Sequence, residues 1–137
     1  MRTRQLGNMD LHFTRIGLGT WAIGGGEWEF GWGPQDDQAS IQAIHRALDL
    51  GVNWIDTAAL YGLGRCEEVV GRALRGLRQR PLIATKCERR WDQQGRIHNC
   101  LKPASVRAEA EASLRRLGIE TNIAAVESLL RKREAVA

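Results

Sequence analysis

The stretch that decides the fold is residues 56–68, which read Asp56-Thr57-Ala58-Ala59-Leu60-Tyr61-Gly62-Leu63-Gly64-Arg65-Cys66-Glu67-Glu68. It begins at the end of a strand-like segment, residues 52–56, and Lys86 ends the next such segment, residues 81–86. Strand ends at one rim are where α/β proteins place their chemistry. A nearby cation favours the phenolate form of Tyr61, and Asp56 would hold Lys86 charged and in place. The sequence therefore predicts a proton-transfer site at this rim.

The rest of the chain alternates strands with helices around this stretch. Residues 3–16 are typical of a hairpin. Three short strands, residues 16–21, 52–56 and 81–86, are each followed by a helix, the last one after a polar loop over residues 88–101. The apolar stripes of these helices are Ile41, Ile44 and Leu48, then Val69, Val70, Ala73, Leu74 and Leu77, then Val106, Ala110, Leu114 and Leu117. Such alternation predicts an α/β fold with a parallel sheet and helices packed outside it.

The residues around Asp56, Tyr61 and Lys86 closely resemble the signature of the aldo-keto reductase family. The similarity includes Gly62, Gly64 and the pair Glu67-Glu68, and it extends over residues 6–118. It implies a (β/α)8 TIM barrel, which needs about 250 residues. This chain has 137 residues, so the resemblance implies a partial barrel, truncated or internally deleted.

On this reading, residues 1–137 are one partial barrel domain. It consists of the β-hairpin (1–16), three βα units (16–118) and a terminal helix (122–137) whose stripe is Ile123, Val126, Leu129 and Leu130. We expect the first three units and the last helix to join near Thr121-Asn122.

The resemblance also implies a reaction, the reduction of an aldehyde or ketone with NADPH. Hydride passes to the carbonyl carbon while Tyr61 protonates the oxygen, assisted by Lys86 and Asp56. It further implies cofactor-binding residues at Gly19, Thr20, Trp21 and Asp56, and a substrate pocket at Trp21, Trp28 and Trp32. The family's fourth catalytic residue, a histidine after the fourth strand, has no counterpart in this sequence.

Several of these residues have a simpler reading. Trp21, Trp28 and Trp32 serve equally well as packing residues or as an apolar pocket lining. The run Gly17-Leu18-Gly19-Thr20-Trp21-Ala22 fits a dinucleotide fingerprint, but the glycines after it forbid the helix that such a site needs. His98, in the loop after the third strand, is more often solvated than functional. Cys66 stands where the family has serine, and a thiol is expected to weaken the helix start.

Composition excludes several other classes of protein. Apolar and charged fractions of 43% and 26% are ordinary for a soluble globular domain, and no secretion signal or transmembrane run is evident, so a cytoplasmic location is expected. The net charge of +4 is scattered, which argues against nucleic acid. Cys66, Cys87 and Cys100 fit no common zinc pattern, so no metal is expected.

Three functions remain open from the sequence. The chain is a reductase by family that is inactive alone, an active enzyme assembled from two chains, or a binding or regulatory remnant that associates with itself or with a full-length reductase. The open edges of a short sheet favour a homodimer.

Overall fold

The computed structural model describes residues 1–120, so the helix predicted over residues 122–137 lies outside the described residues. The strands are β1 (Thr3–Gln5), β2 (His12–Thr14), β3 (Leu18–Gly19), β4 (Trp54–Asp56), β5 (Leu82–Ala84), β6 (Arg89–Trp91) and β7 (Ile97–Asn99). The α-helices are α1 (Asp37–Asp49), α2 (Arg65–Leu74) and α3 (Pro103–Leu117). A 3-10 turn spans Trp21–Gly24.

The predicted hairpin is present as the antiparallel pair β1–β2. It is fastened to the start of β4 through Asn53, whose Oδ1 accepts a hydrogen bond from the Thr14 backbone at 2.8 Å and whose Nδ2 donates to the His12 carbonyl at 2.8 Å. Trp54 Nε1 adds a bond to the Thr14 carbonyl at 3.0 Å. The hairpin therefore closes the end of the sheet at which β4 begins.

The strands of the three predicted βα units, β3, β4 and β5, form a parallel sheet in the order β3–β4–β5. Ile55 lies opposite Leu18 on one side and Ile83 on the other. Gly17 must be a glycine at this junction, because a Cβ there would lie 2.1 Å from the Trp54 ring. The close approach of Trp54 thus fixes where β3 can run.

Sequence signals mark the ends of the helices. Asp36 caps α1, accepting a hydrogen bond from the Ala39 backbone at 2.6 Å. Pro103 occupies the first turn of α3, and Gly118 follows its last residue in the left-handed conformation with φ +62°. These stops give each helix the length needed to return the chain to the start of the next strand.

The core lies between the sheet and the helices, with α2 packed between α1 and α3. Its fully buried apolar side chains include Ile44 of α1, Ile55 of β4, Val69, Val70 and Leu74 of α2, and Leu117 of α3. Burying a side chain of this size contributes about 1.5–3 kcal/mol. The stripe predicted for α2 is therefore its packing face, although Leu77 lies beyond the helix and is half-buried.

Two expectations about the third unit were wrong. Residues 88–101, predicted to be a polar loop, contain the antiparallel hairpin β6–β7. The hairpin lacks apolar alternation, and its contact with the core comes from Trp91 and Ile97. On α3, Val106, Ala110 and Leu114 are only half-buried, while Ser105, Ser113 and Leu117 are buried. Small residues face α2 because the helices pack closely: a Cβ on Gly71 would lie 2.4 Å from the Arg116 carbonyl.

No helix among residues 1–120 has both the length and the apolar character required to cross a bilayer.

Candidate functional site

The ends of the parallel strands bring the predicted residues to one rim. Asp56 ends β4 and lies in register with Gly19 at the end of β3 and Ala84 at the end of β5. Lys86 follows β5 by two residues. The rim therefore collects side chains from all three units, as expected for strands that run in parallel.

Asp56 and Lys86 form a bidentate ion pair at this rim. Lys86 Nζ lies 2.7 Å from Asp56 Oδ1 and 2.9 Å from Oδ2, and it also donates to the Thr57 carbonyl at 3.0 Å. Partial burial opposes the charged form, but the hydrogen bond with Asp56 and the interaction with Tyr61 outweigh it and raise the pKa of Lys86. The Lys86 ammonium therefore stays protonated and has a fixed position beside Asp56.

Tyr61 lies in the turn between β4 and α2, directly beside this pair. Lys86 Nζ is 5.1 Å from the centroid of the Tyr61 ring, and the Tyr61 side chain is buried. Backbone bonds from Tyr61 to the Ala58 carbonyl at 3.2 Å and from Cys66 to the Tyr61 carbonyl at 3.1 Å hold the turn. The structure therefore brings Asp56, Tyr61 and Lys86 together.

Aromatic rings from the loop after β3 cover Tyr61. The ring centroids of Trp21 and Trp28 lie 5.0 and 6.2 Å from that of Tyr61. Trp28 is buried and donates to the Gly25 carbonyl at 3.2 Å, whereas Trp21 is 41% exposed. Trp32 is 74% exposed and does not line the cleft described next. Of the predicted pocket residues, Trp21 and Trp28 are brought to Tyr61 and Trp32 is not.

A cleft of about 330 Å³ opens above the ion pair. Its lining residues are Trp21, Ala58, Leu60, Tyr61, Lys86, Cys87, Glu88 and Arg89. It combines an apolar wall with one phenol, one thiol, one carboxylate and two cationic side chains, and an apolar pocket with a few polar groups is typical of a small-molecule site. The cleft is large enough for a small planar group and reaches the Tyr61 ring.

Two of the predicted cofactor residues have different surroundings. A Cβ on Gly19 would meet no heavy atom within 4 Å, so the space above this position is open. Thr20 is 1% exposed, and its hydroxyl donates to the Asp56 carbonyl at 3.0 Å. Gly19 therefore faces free space, and Thr20 ties β3 to β4.

Cys66 has a role that its position in the sequence did not reveal. The helix cap is Gly64, and Cys66, the second residue of α2, is fully buried, with Sγ 3.1 Å from Thr20 Oγ1 and 3.4 Å from Thr57 Oγ1. Cys66 is therefore not the capping residue of α2, and its thiol bonds to Thr20 and Thr57 instead. Burial raises the pKa of Cys66, which keeps it a neutral thiol.

Glu67 is the main residue that the sequence reading missed. No role was predicted for it beyond the resemblance, but its side chain is fully buried, with Oε1 accepting from Thr85 Oγ1 at 2.6 Å and Oε2 from Arg116 Nε at 2.7 Å. The sequence does contain a sign of this burial, because Glu67 lies on the same helix face as Val70 and Leu74. A carboxylate on an apolar stripe needs a buried partner.

The histidines and Cys100 lie outside this site, whereas Cys87 is exposed and lines the cleft. His12, His45 and His98 are exposed, and His45 Nε2 lies 2.7 Å from the Ala73 carbonyl. Among residues 1–120, no three metal-ligating side chains are grouped together. The Ser105 hydroxyl and the Lys102 backbone lower the pKa of Cys100.

The sequence and fold of this chain are similar to those of known proteins. A family model described as the aldo/keto reductase family matches residues 15–123. The NADH-specific methylglyoxal reductase of Escherichia coli (strain K12) is 42% identical over 131 residues, which cover 88% of this chain and 39% of that protein. A solved glycerol dehydrogenase from Gluconobacter oxydans is 44% identical with a TM-score of 0.74 over 87% of this chain and 36% of its own.

An aldo-keto reductase from Klebsiella pneumoniae, solved in complex with NADPH, is 34% identical with a TM-score of 0.59 over 78% of this chain and 32% of its own. The chain therefore spans less than two fifths of the length of these relatives. The prediction of a partial (β/α)8 barrel is confirmed, and the described residues contain three of its parallel strands rather than a closed barrel.

Proposed function

This chain belongs to the aldo-keto reductase family of oxidoreductases, and from that premise we propose that it carries the proton-donating site of an NADPH-dependent carbonyl reductase. The observation that supports this most directly is the position of Lys86 Nζ, 5.1 Å from the Tyr61 ring while bonded to both oxygens of Asp56. The substrate class is a small aldehyde or ketone.

The residues at the rim fit the nicotinamide end of such a cofactor. Trp21 lines the cleft that reaches Tyr61, and the space at Gly19, two residues earlier in the chain, is open. Thr20 and Asp56 would contribute by holding this rim, since the Thr20 hydroxyl bonds the Asp56 carbonyl. When bound, a reduced nicotinamide supplies the hydride.

Each residue of the site has a separate task in this proposal. Tyr61 donates its phenolic proton to the carbonyl oxygen as negative charge develops there, a step that general acids accelerate by about 10²–10⁴-fold. Lys86 stabilises the resulting phenolate, because an ammonium within a few ångströms favours the charged form. Asp56 keeps Lys86 oriented through a charge-assisted bidentate contact. The apolar ring of Trp21 excludes water from one side of the cleft.

A second candidate is an inactive binding or regulatory protein that associates with itself or with a full-length reductase. It is favoured by the parallel sheet, which has three strands and two open edges among residues 1–120. Unpaired sheet edges invite strand pairing with another chain. Light scattering tests for the homodimer, and co-purification tests for a full-length partner.

The first experiment is a fluorescence titration with NADPH and, in parallel, NADH. Trp21 and Trp28 lie close to Tyr61, so a nicotinamide in the cleft should quench tryptophan emission in a saturable way. We expect Lys86→Met to weaken this quenching. Failure of both cofactors to quench the unmodified protein would contradict the proposed site.

The second experiment measures turnover with a panel of small aldehydes that includes methylglyoxal. Tyr61→Phe keeps the ring packing and removes the proton, so we expect a loss of about 10²-fold or more in kcat. Trp32→Phe serves as the control, because Trp32 is exposed and does not line the cleft. Turnover that survives Tyr61→Phe unchanged would refute the role of Tyr61. Cofactor binding without turnover would favour the second candidate.

A further inference from the structure

Lys86 lies beyond the last hydrogen bond of the sheet. The ladder between β4 and β5 finishes with the Thr57 amide donating to the Ala84 carbonyl at 2.8 Å. Residues 85–88 continue past this point and carry the ammonium that faces Tyr61. The sheet alone therefore leaves the backbone of Lys86 without a fixed position.

Two carboxylates from the helix layer hold this segment, one on each side of Lys86. Glu67 of α2 accepts the Thr85 hydroxyl at 2.6 Å, and Glu109 of α3 accepts the Glu88 backbone amide at 2.9 Å. Hydrogen bonds to an ionised acceptor are roughly twice as strong as neutral ones. The segment is thus tethered at both ends to α2 and α3.

Each tethering carboxylate is itself fixed through its second oxygen. Arg116 Nε donates to Glu67 Oε2 at 2.7 Å, and the Ser105 hydroxyl donates to Glu109 Oε1 at 2.8 Å. Glu67 is fully buried and Ser105 is buried. A carboxylate bonded on both sides has little freedom to rotate, so it transmits the position of its helix to the rim.

The backbone at Glu88, the second tethered residue, has a strained conformation. Glu88 has φ +101°, a conformation that side chains other than glycine rarely adopt. It persists because Glu109 bonds its amide and the Cys100 amide donates to its carbonyl at 2.7 Å. Strain of this kind is retained where the surroundings over-determine the backbone.

We propose that Glu67 and Glu109 are positioning residues for Lys86, which hold residues 85–88 so that the ammonium meets Asp56 and Tyr61. Successive residues point to opposite sides of an extended chain. Tying Thr85 to the helices therefore turns Lys86 toward the rim. The consequence for catalysis rests on the proposed function, whereas the position of the ammonium does not.

Selective variants cut one tether at a time. Thr85→Val removes the hydroxyl and leaves the Glu67–Arg116 pair intact, and Thr85→Ser restores the hydroxyl. Glu109→Ala removes the second tether, and Glu109→Gln keeps one acceptor oxygen. Glu111→Ala is the matched control, because Glu111 is an exposed glutamate on the same helix.

The direct readout is ¹⁵N NMR of the lysine ammonium groups. The sequence contains three lysines, Lys86, Lys102 and Lys132, so Lys86→Arg assigns the signal. In the unmodified protein we expect slow proton exchange at Lys86 and titration above the ordinary value of 10.5. Thr85→Val and Glu109→Ala should each speed exchange and move the titration back toward that value. Thr85→Ser, Glu109→Gln and Glu111→Ala should stay near the original behaviour.

The kinetic readout separates positioning from binding. We expect Thr85→Val to lower kcat by about tenfold with little change in KM, because displacements of about 1 Å can cost up to 10²-fold. Folded Thr85→Val and Glu109→Ala proteins with an unchanged Lys86 signal would overturn the inference. If the unmodified chain has no turnover, the proposed function fails, and the NMR comparison still decides whether the tethers act.

Discussion

The buried pair Glu67–Arg116 offers the sharpest test of how the helix layer supports the rim. Replacing Arg116 with Met leaves the Glu67 carboxylate, whose side chain is 0% exposed, with one remaining partner, the Thr85 hydroxyl. Removing one member of a buried ion pair costs about 3–5 kcal/mol. Arg116 also lies 6.0 Å above the Trp91 ring, an interaction that contributes about 0.5–1 kcal/mol at exposed sites. Because the Arg116 side chain is 20% exposed, we expect Arg116→Met to lower the free energy of unfolding by about 3 kcal/mol, near the lower limit of the range for buried ion pairs.

Urea unfolding followed by tryptophan fluorescence measures this cost, since the chain has five tryptophans. Arg115→Met is the matched control, because Arg115 is an exposed neighbour on α3 and its loss should stay within about 0.5 kcal/mol. Combining Glu67→Leu with Arg116→Met removes both charges. The double variant should therefore lose about 2 kcal/mol less free energy of unfolding than the sum of the two single variants. An Arg116→Met protein as stable as Arg115→Met would refute the reasoning.

Three further predictions follow from other parts of the structure. Cys100, whose pKa is lowered, should react with iodoacetamide with a half-maximal rate below pH 9.0, while Cys66, buried with a raised pKa, stays unmodified in the folded protein; peptide mass spectrometry distinguishes the two. Gly24→Ala should destabilise the chain by about 1–3 kcal/mol in urea unfolding, because a Cβ there would lie 2.8 Å from a backbone nitrogen of the facing turn. The hydrogen bond from Arg72 is the main cause of the lowered pKa of Asp37. The ionised Asp37 therefore stabilises the folded chain fully above pH 3.8, and this stabilisation is lost as the pH falls through the pKa of Asp37 in the folded state. Urea unfolding of Asp37→Asn should therefore differ from the unmodified protein at neutral pH and converge with it in acid.

The sequence predicted the order of strands β1–β5 and helices α1–α3 because each of these signals was local. Apolar stripes at helical spacing identified α1 and α2, and residue types favoured at helix ends, Asp36, Pro103 and Gly118, lie at the ends of α1 and α3 in the structure. The placement of Asp56 and Lys86 at one rim followed from parallel strands, which bring their carboxyl ends to the same edge. Strand order alone was therefore enough to predict that Asp56 and Lys86 lie close together.

The parts that the sequence did not predict depend on contacts between distant residues. Glu67 and Arg116 are far apart in the chain, and neither has a local pattern that shows the partner. The hairpin β6–β7 lacks the apolar alternation by which strands are recognised, since its strands read Arg89-Arg90-Trp91 and Ile97-His98-Asn99. Its existence depends on pairing across a turn and on the helix beside it. Tertiary contacts of this kind decide structure where local propensity is weak.

The residues proposed for proton transfer come from two adjacent units of the rim. Asp56 and Tyr61 belong to the β4–α2 unit, and Lys86 follows the neighbouring strand, so the contacts that fix them come from α2, α3 and the loop after β3. None of these contacts requires a strand beyond β5. An ordered Lys86 is therefore compatible with a chain that does not bind NADPH, and the two measurements are independent. Tethered Lys86 without cofactor binding would indicate that the helix layer preserves the geometry of the rim separately from its use in catalysis.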